Sequence, residues 1–337
     1  MKKPLLLLSA GVLLLTSCAT LENLAMKQVA RMFSGSGGDS GAMTAFLEDD
    51  DPEYVGESLP SLMKVLEILV QKSPKEPGIH FTTGMICIMY ANAYIQGPAS
   101  MLSMDDYELQ SRENLRAKRM YQRGRDYILK GLDIKYPGFR DQILTDQFDL
   151  AFSRLVPEDA QTLYWCGAGW VAMFSCDPFD FEVSATSYRG TALLLKAMQI
   201  NDGLNSGAVH DVLIQLYTAM PALIISAIIK SPELSAYYTD YYQERMVSDD
   251  PRERAIYHYR MAIFYSDGKM PGPYVSYATA FSIADQDPET FTNMLKTALS
   301  INADENKANR LMILLSQKKA AWLLDHIEDY FILDQGE

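Results

Sequence analysis

Apolar residues recur along this chain at the spacing of a helix. Leu62, Val65, Leu66, Leu69 and Val70 fall at i, i+3, i+4, i+7 and i+8, which gathers them on one helical face. No run alternates apolar and polar residues convincingly enough to read as a strand. The interruptions are rich in proline, glycine and small polar residues, the composition that ends one helix and turns the chain into the next. They fall at KSPKEPG (72–78), GPAS (97–100), YPG (136–138), INDGLNSG (200–207), KSPE (230–233), SDDP (248–251) and DGKMPGP (267–273). That spacing suits helix hairpins, so the fold expected is all-α.

A weak internal repeat refines the picture. A small or medium residue, a large apolar one and a further apolar position two later recur at Val65-Leu66-Glu67-Ile68, Gly131-Leu132-Asp133-Ile134, Ala197-Met198-Gln199-Ile200, Ala262-Ile263-Phe264-Tyr265 and Ala298-Leu299-Ser300-Ile301. Their first positions lie 66, 66, 65 and 36 residues apart, near one or two tetratricopeptide units of about 34 residues. A small side chain in the second helix of a pair would let the neighbouring helix approach. The expectation is a tetratricopeptide-like α-solenoid of stacked antiparallel helix pairs, although helical periodicity alone also generates some such matches.

The first residues carry an address. Lys2 and Lys3 precede an apolar run from Leu5 to Leu15, too short for a membrane span of roughly 20 residues but suited to a secretory signal. Leu15-Thr16-Ser17-Cys18 fits a bacterial lipobox better than an ordinary cleavage site, which predicts a signal peptide over 1–17 and acylation of Cys18 with fatty acids such as palmitate. Several acyl chains would hold the protein stably on a membrane. GSGGDSG (35–41) reads as the end of a flexible tether, so residues 18–41 form a lipidated N-terminal segment and 42–337 a single helical domain.

Composition narrows the chemistry. Loss of Lys2 and Lys3 would take the formal charge from −13 to −15, and no basic cluster offers a face for nucleic acid. Beyond Cys18 stand Cys87, Cys166 and Cys176; buried free thiols are favoured over a Cys166–Cys176 disulfide. GAGWVA (167–172) mimics a dinucleotide fingerprint but follows no strand and places Trp170 where a pyrophosphate needs bare backbone, so Gly167 and Gly169 are read as helix-packing positions. His80, His210, His258 and His326 show no metal-ligand spacing and are expected to be structural. No cofactor, metal site or catalytic constellation is expected, and the chain does not read as an enzyme. Asp49-Asp50-Asp51 is read as the opening of a helix, with Asp51 as N-cap, Pro52 in the first turn and Pro60 restarting or kinking it. Aromatic residues stand out, with 20 tyrosines. Tyr90 and Tyr94 share a helical face, and Tyr164, Trp165 and Trp170 cluster nearby in sequence. Two readings are open for them: packing between helices, or the lining of a groove or channel for a ligand or protein partner.

Several blocks in order resemble the TatT family, the T component of tetratricopeptide-associated TRAP transporters. They are DDDPEYVGESLPSLMKVLEILVQKSP (49–74), RAKRMYQRGRDYILKGLDIKYPGF (116–139), LYWCGAGW (163–170), LKAMQINDG with GAVH (195–203, 207–210), HYRMAIFYSDGKMPGPYVSYA (258–278) and RLMILLSQKKAAWLLDHIEDYF (310–331). The resemblance implies a periplasm-facing, lipid-anchored, non-catalytic accessory protein. Its implied partners are the substrate-binding P component, a hydrophobic small-molecule ligand in a cavity or pore, and copies of itself, a trimer being the first expectation. It adds His210, Tyr274 and Tyr277 to Tyr90, Tyr94, Tyr164, Trp165 and Trp170 as candidate cavity or partner-binding residues. Two departures stand out: Gly131 where alanine is expected, which points to an unusually close neighbour, and a long tyrosine-rich segment at 228–250. The rival reading is an envelope scaffold lipoprotein whose helical repeats bind another protein.

Overall fold

The computed structural model describes residues 41–220, 225 and 241–332, and every described element is helical. The signal peptide, Cys18, the tether to residue 40, the KSPE turn and much of the tyrosine-rich segment lie outside the described residues. The principal helices are α1 (Gly41–Leu47), α2 (Pro52–Lys72), α3 (Pro77–Tyr90), α4 (Tyr107–Lys135), α5 (Phe139–Leu144), α6 (Phe148–Phe152), α7 (Ala160–Cys176), α8 (Phe181–Ile200), α9 (Leu204–Ala219), α10 (Pro251–Ser266), α11 (Gly272–Tyr277), α12 (Pro288–Ser300) and α13 (Arg310–Asp325). Helix α3 runs on through a π-helical turn, Ala91–Gln96, and α11 through another, Ala278–Ser282.

An Asp-Pro pair starts three of these helices. Asp51, Asp250 and Asp287 each accept a hydrogen bond from the backbone N–H three residues on, at 2.9, 3.0 and 2.9 Å, and a proline follows each. The carboxylate satisfies a donor that the helix leaves unpaired, and the proline gives up an N–H that would have had no partner. The acids at 49–51 are therefore the entry to α2: Asp49 accepts from the Asp51 N–H at 2.8 Å, and Asp50 pairs with Arg310 at 3.1 Å. Two expectations for α2 need correction in part. The helix runs unbroken through Pro60, without a restart, because Leu59 and Met63 on either side are buried and hold that turn against the core. Its buried residues are Val55, Leu59, Met63, Leu66, Leu69 and Val70, so Leu66, Leu69 and Val70 of the expected face point inward, while Val65 is half exposed.

Neighbouring helices pair antiparallel with very close backbones. Along α3 and α4, a Cβ on Gly131 would lie 2.9 Å from the Pro77 carbonyl, and one on Gly84 2.4 Å from the Gly124 carbonyl. Gly131 thus has the close neighbour anticipated for it. Along α7 and α8, Gly167 faces Gly190 and Leu194, while Gly190 receives Trp170; Gly169 admits Ile88 of α3. Lacking side chains, these glycines allow the backbone approach that compensates their poor helix propensity. At the four later repeat positions the small residue is buried, Gly131, Ala197, Ala262 and Ala298; in the first it is Leu66 that is buried. Cys87, Cys166 and Cys176 are free and buried, and burial pushes each thiol up to about 12.

The last long helix returns to the first. Leu311 of α13 is buried in the same cluster as Val55, Leu59 and Leu66 of α2, and Lys318 bonds Glu53 at 2.6 Å. Gln317 of α13 caps the end of α12 by donating to the carbonyls of Ala298 and Ile301 at 3.1 and 2.7 Å. None of the described helices is long and apolar enough to cross a membrane.

Candidate functional site

Helices α1, α3, α7, α9, α11 and α13 surround a cavity of about 1160 Å³, slightly above the ~300–1,000 Å³ usual for small-molecule sites. Its wall is largely apolar and rich in methionine, including Met43, Met85, Met89, Met220, Met270 and Met312. Methionine is unbranched and polarizable, so such a wall can adapt to apolar ligands of varied shape. Both π-helical turns reach it, through Asn92, Ala93, Tyr94 and Gln96 and through Thr279 and Ala280. A π turn rotates the side chains beyond it relative to a regular helix, and such turns are frequent at functional sites.

The start of α9 is a second irregular wall element. Asn205 (φ 49°, ψ 48°), Ser206 (φ 58°, ψ 37°) and Gly207 (φ 82°, ψ 20°) form a left-handed turn, and all three line the cavity. For the two side-chain-bearing residues this conformation costs roughly 1–2 kcal/mol each. Further along α9, Asp211 and Gln215 face inward; Ser276 of α11 donates to Asp211 at 2.6 Å and lies 3.4 Å from the Gln215 amide. Gly272 makes room for Asp211, since a Cβ there would lie 2.6 Å from its Oδ2. Lys319 of α13 lines the same space. Burial raises the Asp211 carboxyl above its ordinary range, the Ser276 hydroxyl and Lys319 opposing, and burial lowers the Lys319 ammonium.

The structure separates the candidate aromatics. Tyr94, Tyr164 and Trp165 line the cavity, and the Tyr94 hydroxyl and Trp165 indole N–H are buried without a hydrogen-bond partner among the described residues. Burial and the nearby acids of α2 push the Tyr94 phenol up to about 12. Tyr90 stacks on Tyr94 with ring centres 5.8 Å apart and stands outside the lining. Trp170 is core: its indole donates to Thr186 at 3.3 Å and the Arg125 guanidinium sits 4.7 Å from its ring. Tyr274 and Tyr277 pack around Tyr259, at 6.4 and 4.6 Å, and also stand outside the lining. The blocks LYW, GAVH and GPYVSYA do reach the wall, but in the last two it is Gly207, Ala208, Gly272, Pro273, Val275 and Ser276 that touch it.

His210 likewise turns away from the cavity, into a buried polar chain between α9 and α10. Its Nε2 is 3.0 Å from Asp202 and its Nδ1 is 2.8 Å from Nδ1 of His258; His258 Nε2 is 2.8 Å from the Tyr242 hydroxyl, which is 3.1 Å from that of Tyr217. One neutral arrangement serves the run: Tyr217 donates to Tyr242, Tyr242 to His258 and His258 to His210, whose Nε2 stands beside Asp202 without a well-aligned hydrogen bond. The Tyr241 and Tyr265 hydroxyls complete the carboxylate at 2.9 and 3.0 Å. Burial holds His258 well below its ordinary value, reinforced by His210 and Arg254. For Asp202, burial acts upward, but the His210 contact and the phenols outweigh it and keep the carboxyl low. His80 meets the Pro74 carbonyl at 3.1 Å, and His326 stacks on Trp322 at 4.2 Å. Among the described residues no group of His, Cys, Asp and Glu is arranged to hold a metal ion.

Fold and site define an all-helical protein that surrounds a methionine-rich cavity with charged groups on its wall. The family model of the TRAP transporter T-component matches residues 48–224 and 233–331, and the chain belongs to that family. T components are accessory components of TRAP transport. The chain is also similar to a protein of Treponema pallidum (strain Nichols) described as uncharacterized, with 30% identity over 297 residues that span 87% of this chain and 84% of that protein.

Proposed function

We propose that this chain is a lipid-anchored, periplasm-facing accessory of a TRAP system that takes an apolar or amphipathic small molecule into its cavity and engages the substrate-binding P component. The observation that carries the reading is the cavity: about 1160 Å³, walled by methionines and aromatics, with irregular helical turns opening onto it. The helix pairs stack as a tetratricopeptide-like solenoid, residues 42–337 act as one domain, and copies associate, a trimer being the first expectation. Acylated Cys18 keeps this body at the membrane, where the P component can meet it.

Native mass spectrometry on the full chain released from membranes tests the reading. The expected result is a complex with the P component of the same system and a co-released apolar small molecule. A protein that is empty and fails to bind that P component overturns it. Separately, Cys18→Ser is expected to move the protein from the membrane to the soluble fraction. Undiminished membrane retention of this variant removes the lipid anchor from the proposal.

A further inference from the structure

Asp211 and Lys319 are opposite charges on the wall of an otherwise apolar cavity, held there by different helices. Among the described residues Lys319 makes no hydrogen bond, and no carboxylate lies within 4.0 Å of its ammonium, whereas its neighbour Lys318 is paired with Glu53. Asp211 has one protein donor, Ser276 on Oδ1, while Oδ2 lies over the space left by Gly272. The two charges attract without touching. Both side chains are half-buried on this wall and keep unused hydrogen-bonding capacity, so the wall can receive complementary polar groups.

We infer that the cavity takes an amphiphile whose carboxylate pairs with Lys319, whose adjacent hydroxyl or ammonium donates to Asp211, and whose hydrocarbon tail lies along the methionine wall. This rests on the ligand-cavity reading above and adds the chemistry of the head group. A carboxylate alone would meet Lys319 but face the Asp211 charge; an amine alone would meet Asp211 but face Lys319. A head group that carries both functions can meet both residues. The hydrocarbon tail can lie against Met85, Met89, Trp165 and Met312, which line the same space. Gly272 belongs to the seat because any side chain there would displace the carboxylate of Asp211.

The test is calorimetric titration of the full chain in lipid nanodiscs, against empty nanodiscs, with 2-hydroxyoctanoate, 2-aminooctanoate, octanoate, octanol and octylamine. The two bifunctional acids are expected to bind tightest and octanol about tenfold or more weaker, since a hydrogen bond to a charged group is typically worth that much or more. Lys319→Met is expected to erase the preference for acids while leaving octanol binding within about twofold, and Lys319→Arg to retain it. An unchanged melting temperature for Lys319→Met confirms that the loss is local. Equal binding of octanol and the acids, an acid preference that survives Lys319→Met, or tightest binding of octylamine overturns the inference while leaving the cavity a ligand site. Equal binding of octanoate and 2-hydroxyoctanoate removes Asp211 from the head-group seat. Failure of all five compounds to bind overturns the ligand cavity itself.

Discussion

Two antiparallel helix seams in this protein solve the same packing problem with opposite materials. Between α3 and α4, glycines bring the backbones together, and Gly84 and Gly124 stack each against the other's carbonyl. Between α9 and α10, the space is filled by His210, His258, Tyr217 and Tyr242, linked by hydrogen bonds of 2.8–3.1 Å. The first seam depends on the absence of atoms and the second on the direction of protons. The glycine seam should therefore be intolerant of volume, and the polar seam should carry the larger pH dependence, with His80 beside Gly131 adding a smaller one.

The largest expected effect comes from adding volume to the first. Gly124→Val would place its Cβ 2.7 Å from the Gly84 carbonyl and 2.6 Å from Ile88, so the backbones must part. A loss of about 3 kcal/mol in denaturant-unfolding stability is expected, the upper range for overpacking. His258→Phe keeps ring volume but leaves the Tyr242 hydroxyl and His210 Nδ1 without their present partner, at an expected cost of about 2 kcal/mol. A near-neutral result there would mean that ring packing, not hydrogen bonding, holds the second seam.

Titration gives a finer separation. Below about pH 6.5 the unfolded chain binds protons at His258 and His80 that the folded chain refuses, because burial lowers both groups. Stability is thus present in full above that pH and falls as the pH drops through it, by up to about 1.4 kcal/mol per unit for each group. Unfolding curves between pH 7 and 5 should show this slope in the parent and a shallower one in His258→Phe, while Gly124→Val keeps the parent slope. Smallest of all, Tyr242→Phe removes one hydroxyl from the chain and is expected to cost about 1 kcal/mol.

The same contrast explains how much of the molecule could be read from its sequence. Glycines and Asp-Pro pairs act locally, so Gly131, Gly167 and Gly169 declared close packing, and Asp51-Pro52 a helix start, without knowledge of neighbours. The histidine chain joins residues 48 apart in sequence, and no spacing rule connects them. The cavity failed differently: the right segments stood out by their aromatics, yet one residue along a helix is a turn of about 100°. His210 therefore points into the α10 seam while Asp211 points into the cavity, and Tyr274 and Tyr277 pack sideways while Ser276 between them faces in. Periodicity tells which residues share a face. Which face meets which neighbour depends on helices far along the chain, and Lys319 becomes interesting only once α13 is known to return to α2. Its signal was present as a lysine in a mostly apolar helix, SQKKAAWLL.

That return has a consequence for the order of events. Lys318 and Glu53 are 265 residues apart, and the clasp they form with Arg310, Asp50 and Leu311 joins nearly the first described turn to the last. A chain delivered from its N-terminus can assemble the glycine seams as each hairpin emerges, because those contacts are near in sequence. It cannot shut the chamber until the final helix arrives. For as long as synthesis lasts, the methionine wall stands open on one side, and the acids that begin α2 wait for the basic residues that complete it.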